Sequence, residues 1–80
     1  MTIYAEIKNG TTMKRIETSR YKGGDYLDLR TYYEPKQGAG DWRPTRKGLT
    51  FRPEELHTVA AAVASAMAEY AERLAEAATA

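Results

Sequence analysis

The chain changes its hydrophobic period once, at Pro53, and that switch leaves few folds open. Before it, β-branched and aromatic residues alternate with polar ones, punctuated by Asn9-Gly10, Gly23-Gly24 and Gly38-Ala39-Gly40. Turn signals at strand-length intervals are the mark of an antiparallel meander. After Pro53, Leu56, Ala60, Val63, Met67, Tyr70 and Leu74 recur at alternating spacings of four and three, which is the apolar stripe of one helix. The pattern predicts an α+β fold, a twisted antiparallel β-sheet of four to five strands followed by one long C-terminal α-helix. Strands are expected near 3–8, 13–21, 25–33, 42–46 and 48–52, and the helix over about 53–76.

Local chemistry refines these boundaries. Pro53 suits a first helical position, where its missing N–H costs nothing, and Glu54 and Glu55 follow where the helix dipole favours negative charge. Arg52 is a poor N-cap because it has no acceptor side chain. In the strand at 25–33, Leu27 and Leu29 alternate with Tyr26, Asp28, Arg30 and Tyr32, so one face packs and the other meets solvent or ligand. Gly48 separates the basic pair Arg46-Lys47 from the apolar Leu49 and Phe51, and permits a bulge or a close backbone approach. The loop at 34–41 (EPKQGAGD) is expected to be the longest and most flexible.

Eighty residues make one domain, 1–80. A chain this short buries only about 60–65% of its unfolded surface, so a lone core is marginal. Without cysteine, and with His57 as the one histidine, neither disulfides nor a zinc site can help, which leaves oligomerisation. At roughly 1.5 Å per residue the helix would be about 36 Å long, more than a small sheet can cover. Its first half is expected on its own sheet, and Val63, Met67, Tyr70 and Leu74 in a homodimer interface. No apolar run of signal-peptide or membrane-spanning length occurs, so the reading is an intracellular protein without a membrane partner.

Charge divides as the hydrophobic pattern does. Residues 1–52 hold eleven Lys and Arg against six Asp and Glu, while residues 53–80 hold one Arg against five Glu. The balances of +5 and −4 give the net +1, and point to one surface for polyanions and another that avoids them. Enzyme constellations are missing: His57 stands alone near a helix start, the glycine turns lie between strands, and Asp25, Asp28 and Asp41 lack metal-ligand spacing. No catalytic residue, metal or cofactor is expected. Instead the basic half interleaves cations with rings. Tyr21-Lys22 sits at a hairpin tip, Arg30 and Tyr33 share a strand, and Trp42, Arg43, Arg46 and Lys47 lie on the next hairpin. Cations hold phosphates and flat rings stack on unpaired bases, which is what sequence-independent binding of a single strand needs. Tyr26, Tyr32 and Trp42 are equally readable as packing residues.

The segments YKGGDYLDLRTYYE and DWRPTRKGLTFRPEEL, in this order and spacing, resemble the C-terminal domain of the transcriptional coactivator positive cofactor 4. The shared features are an aromatic-K-G stretch, a hydrophobic-D-hydrophobic-R strand, an aromatic strand end, an R-K-G turn and a helix opened by P-E. They span roughly residues 13–65. The resemblance implies a homodimer that binds single-stranded DNA or locally melted duplex with little sequence preference, in transcription or in replication and repair. It implies a nucleoid or cytoplasmic setting for a bacterial or phage protein and a nuclear one for a eukaryotic protein, and transcription or repair proteins as further partners. By motif, Tyr21, Lys22, Arg30 and Tyr33 match the channel's rings and cations, and Arg43, Arg46 and Lys47 the basic hairpin. The chain departs from the pattern at Gly24, where a lysine is common, at Tyr33, where Trp is common, and in its longer helix. Competing readings are a protein-interaction module acting through the acidic helix, and RNA as the ligand.

Overall fold

A computed structural model of the chain describes residues 2–79. Strands β1 (Ile3–Asn9), β2 (Thr12–Tyr21), β3 (Gly24–Tyr33) and β4 (Arg43–Phe51) precede a single 3-10 turn, Pro53–Glu55, and helix α1 (Leu56–Thr79). The strands form one antiparallel sheet in chain order, β1-β2-β3-β4. The class is α+β, with four strands and one C-terminal helix. Among the described residues no helix is long and apolar enough to cross a membrane.

The segments expected as separate strands at 42–46 and 48–52 are one strand. Gly48 pairs with Arg30 and Pro44 with Tyr32, so two steps along β3 face four along β4, and Thr45, Arg46 and Lys47 bulge outward between them. The Thr45 hydroxyl donates to the Thr31 carbonyl at 2.7 Å and accepts the Lys47 N–H at 3.1 Å, which keeps β4 attached through the irregularity. The β2–β3 hairpin also turns one residue earlier than the glycine pair suggests. Tyr21 pairs with Gly24, and the turn is Lys22-Gly23, with φ of +51° and +78°. Two left-handed central residues match the twist of antiparallel strands.

Strand alternation gives the sheet two unlike faces. Ile16 sits opposite Leu29, Thr18 opposite Leu27, Leu49 opposite Leu29 and Phe51 opposite Leu27, so apolar side chains share one face. Pro53 and Leu56 close one end of that face around a hollow of ≈ 620 Å³, with Tyr4, Ile16 and Leu27. On the opposite face lie the buried apolar side chains Met13 and Tyr32, which are cross-strand partners.

The helix start solves its capping problem with the backbone. Glu55 accepts the Arg52 N–H at 2.8 Å through its carboxylate and donates its own N–H to the Arg52 carbonyl at 2.9 Å. This reciprocal arrangement does without an acceptor on the Arg52 side chain. Beyond it, the expectation that the first half of the helix docks on its own sheet does not hold. Leu56 and Val59 are half-buried, but Val63 is already 53% exposed, and Met67, Tyr70 and Leu74 more so. Beyond Val59 the helix leaves the apolar face uncovered and its own stripe exposed.

Met13 is 1% exposed, the most buried large side chain described. Met13→Ala is expected to cost about 2–5 kcal/mol in urea unfolding, the range for truncating a fully enclosed core side chain.

Candidate nucleic-acid interface

On the face opposite the helix the central side chain is Arg30. Its Nε and Nη2 donate to the two Asp28 carboxylate oxygens at 3.1 and 3.0 Å, and its Nη1 donates to the Thr45 carbonyl at 2.8 Å. Residues two apart on a strand share a face, so the D-x-R spacing brings acid and base together. A bidentate, charge-assisted pair of this kind fixes the guanidinium plane. The Asp28 hydrogen bond pushes the Arg30 pKa upward, so the cation is permanent. The side chain lies across β4 at Gly48: a Cβ there would come within 2.9 Å of the Arg30 Cζ and 2.8 Å of the Leu29 carbonyl. Position 48 must be glycine for Arg30 to take this path.

Around Arg30 the cross-strand pairs are of like charge. Arg15 stands opposite Arg30, and Glu17 opposite Asp28. Such pairs repel unless other partners intervene. Here Arg15 bonds Glu6 at 2.9 Å and stacks its guanidinium 4.3 Å over the Tyr32 ring, while the Tyr32 hydroxyl donates to Glu17 at 2.8 Å. Burial, then the Glu17 bond, raises the Tyr32 pKa above its ordinary value. The centre of the face is therefore rigid and internally neutralised. Cations open to a ligand lie along its rims.

One rim is the β2–β3 hairpin. Tyr21 is 64% exposed, with the Lys22 ammonium 5.4 Å above its ring. Tyr21, Arg30, Asp28, Tyr26, Arg20 and Ser19 line a groove of ≈ 430 Å³. The second rim is the β4 bulge. Arg46 and Lys47 are exposed there, and among the described residues neither makes an ion pair. Lys47 faces a separate apolar hollow of ≈ 300 Å³ that includes Lys14, Leu29 and Thr31.

The structure thus brings Tyr21 and Arg30 into one groove, with Lys22 over the Tyr21 ring, and places Arg46 and Lys47 on the bulge next to Gly48. It does not join Tyr33 to them on the same face. Tyr33 alternates with Arg30 and Tyr32, and its cross-strand partner is Arg43 at the far end of β3. Arg43 bonds Asp41 at 2.9 Å, and Asp41 first and Tyr33 second hold its pKa up. Trp42 is half-buried just before β4. Sequence reasoning missed Asp28 as the orienting carboxylate, although the D-x-R spacing signalled it. It put Tyr26 on this face without giving it a role, and missed the Thr45 carbonyl, which no local pattern announces. Among the described residues no group of three or more His, Cys, Asp or Glu could hold a metal ion.

A sheet of four antiparallel strands with a terminal helix, carrying a fixed arginine between two basic rims, defines a small class of proteins. The family model Transcriptional Coactivator p15 (PC4) matches residues 8–62. The chain belongs to this family. It is similar to BPSL1147, a PC4 homologue from Burkholderia pseudomallei, in two crystal forms. Both have a TM-score of 0.71; identity is 32% and 33%, over 81% of this chain and 86% or 94% of the other. The MoSub1 chain of a MoSub1–DNA complex has a TM-score of 0.66 at 24% identity, over 90% of this chain and 83% of that one. The bacteriophage T5 homologue of the coactivator has a TM-score of 0.62 at 22% identity, over 95% and 96%. The last two are likenesses of fold. No curated protein sequence matches the chain.

Because the folded state holds the Tyr32 proton more tightly than the unfolded one, its contribution to stability is complete below about pH 10 and is lost as pH rises through the folded pKa. Absorbance at 295 nm over an alkaline titration is expected to show one of the six tyrosines ionising last. Tyr32→Phe should remove that component and shrink its own stability deficit above pH 10.

Proposed function

We propose that the chain binds single-stranded DNA without catalysis and with little sequence preference, as a homodimer in which residues 1–80 act as one binding domain. The observation that carries this reading is the groove between the rims. An exposed ring, Tyr21, and a fixed cation, Arg30, share its wall, and Arg46 and Lys47 stand exposed and unpaired on the β4 bulge, next to the point where Arg30 crosses that strand. A ring accepts any base, an oriented guanidinium accepts a phosphate, and mobile cations at the rim add counterion release. Family membership supports the reading. The MoSub1 relatives were crystallised with DNA, in one case single-stranded, and the phage T5 homologue is implicated in recombination-dependent DNA replication. The role in this light is to hold exposed single strands inside the cell during transcription, replication or repair. Tyr33, Trp42 and Arg43 extend the path of the strand beyond the groove toward the β3–β4 loop.

The dimer has its own argument. Val63, Met67, Tyr70 and Leu74 are 53 to 70% exposed on one stripe of α1, and Ile7 and Leu49 are each 62% exposed on the sheet. Surfaces of this extent mark an interaction site. The near-heptad spacing of the stripe suits pairing with the same stripe of a second copy. This assignment takes precedence over docking of an unrelated protein on the helix.

Two measurements test these statements. Fluorescence anisotropy with a labelled oligo-dT of about 20 nucleotides, against duplex and over a salt series, should show tight binding to the single strand alone. Tyr21→Ala is expected to lose about 1–3 kcal/mol of affinity. Replacing both Arg46 and Lys47 by Ala should reduce the log–log salt slope by roughly 1.4, or about 0.7 per contact. An unchanged slope would remove the bulge from the interface. In sedimentation equilibrium, Met67→Lys with Leu74→Lys should halve the mass; an intact dimer would place the interface elsewhere.

A further inference from the structure

The segment between β3 and β4 has the composition of a flexible loop, yet its backbone is held from within by one carboxylate. Glu34 is only 6% exposed although it is charged. Its Oε1 accepts the Gly38 N–H at 2.9 Å and its Oε2 accepts the Gly40 N–H at 2.7 Å. Its own N–H donates to the Thr11 carbonyl at 2.8 Å, which ties the strand end to the β1–β2 turn. Within the loop the Ala39 N–H donates to the Lys36 carbonyl at 3.1 Å. Gly38 and Gly40 have φ of +83° and +77°, while a Cβ at either would meet nothing within 4 Å. Glycine is needed there for conformation and not for space. Left-handed residues let backbone N–H groups converge on one anion, and here the anion is the chain's own side chain.

A buried carboxylate needs its lone pairs satisfied, and two charge-assisted bonds to backbone amides do so. Both oxygens are engaged by the loop, so Glu34 offers nothing to a polyanion directly. Its effect falls on the residues just beyond the loop. The loop delivers Asp41, Trp42 and Arg43, with Arg43 bonded to Asp41 at 2.9 Å and paired across the sheet with Tyr33. We propose that Glu34 is a positioning residue that orders the β3–β4 loop from inside, so that Trp42 and Arg43 are already in place when a single strand arrives. This rests on the nucleic-acid reading of the site. Ordering the loop during folding removes that entropic cost from the binding step.

Trp42 is the one tryptophan in the chain, so its fluorescence reports on the loop exit alone. The experiment compares wild type, Glu34→Ala and the isosteric Glu34→Gln, with circular dichroism to confirm the fold. Time-resolved Trp42 anisotropy and hydrogen exchange at the Gly38 and Gly40 amides are read without ligand; oligo-dT binding is read over a salt series. In Glu34→Ala, fast local depolarisation of Trp42 and loss of protection at both amides are expected. Affinity should fall about threefold to tenfold with an unchanged salt slope, since no phosphate contact is removed. Glu34→Gln, which keeps one acceptor oxygen, should lose protection at one glycine and fall between the two. Unchanged Trp42 motion and amide exchange in Glu34→Ala would overturn the proposal, as would a loosened loop with unchanged affinity. A changed salt slope would also overturn it, by making the effect electrostatic. Failure of the wild type to bind oligo-dT would overturn the reading of the site and the binding half of this inference. The two ligand-free measurements would then still decide whether Glu34 orders the loop.

Discussion

Arg30 can lie across β4 only because position 48 has no side chain, and much of the arrangement around the groove depends on that. Asp28 sets the plane of the guanidinium, and the remaining Nη1 reaches the Thr45 carbonyl on the next strand. That bond lies within the bulge, so the ion pair and the irregularity of β4 stabilise each other. Pushing Arg46 and Lys47 outward is the consequence. The adjoining Arg15–Tyr32–Glu17 chain completes the same logic, by giving each like-charged cross-strand neighbour a partner of its own. The result is a face that is neutral and stiff at its centre and cationic at its margins. On the proposed reading, such a face meets a flexible polyanion without first giving up internal ion pairs.

The other face has the opposite character. Its Leu, Ile and Phe side chains are only partly covered, and α1 runs off it after Leu56 and Val59 with its stripe in solvent. An isolated chain of this size leaves much of its apolar surface wet, and the proposed second copy is what would cover it. In the proposed reading the apolar face serves assembly and the Arg30 groove opens on the other face, which alternation permits because successive side chains point opposite ways.

Much of this is legible in the residues. The class of fold, the strand order and the start of the helix come from period and turn chemistry, because both are local. The pairing of Asp28 with Arg30 is within reach of the same reasoning, since residues two apart on a strand must share a face. In the sequence Gly48 permits a bulge or a close backbone approach after the basic pair; the pairing shows both, inside one strand, with room made for the Arg30 side chain of its neighbour. Glycine tolerates left-handed backbone best, which favours a turn at Gly23-Gly24, yet Lys22 takes that conformation instead. Register with β2 decides between the two, and register is a property of the pair of strands.

By itself the sequence determined the periodicities, the break at Pro53, the split of charge between the halves and the kinds of side chain offered to a ligand. These depend on neighbours a few residues away, and they survive any packing. Only the tertiary structure decided which cations are spent on internal pairs and which stay free. It also set Tyr33 apart from the Arg30 groove, turned a glycine-rich loop into a ring closed on Glu34, and freed the helix from its own sheet. Each of those outcomes turns on groups distant in sequence meeting at hydrogen-bond range, where one extra residue in a strand or one absent Cβ changes which partners can reach each other.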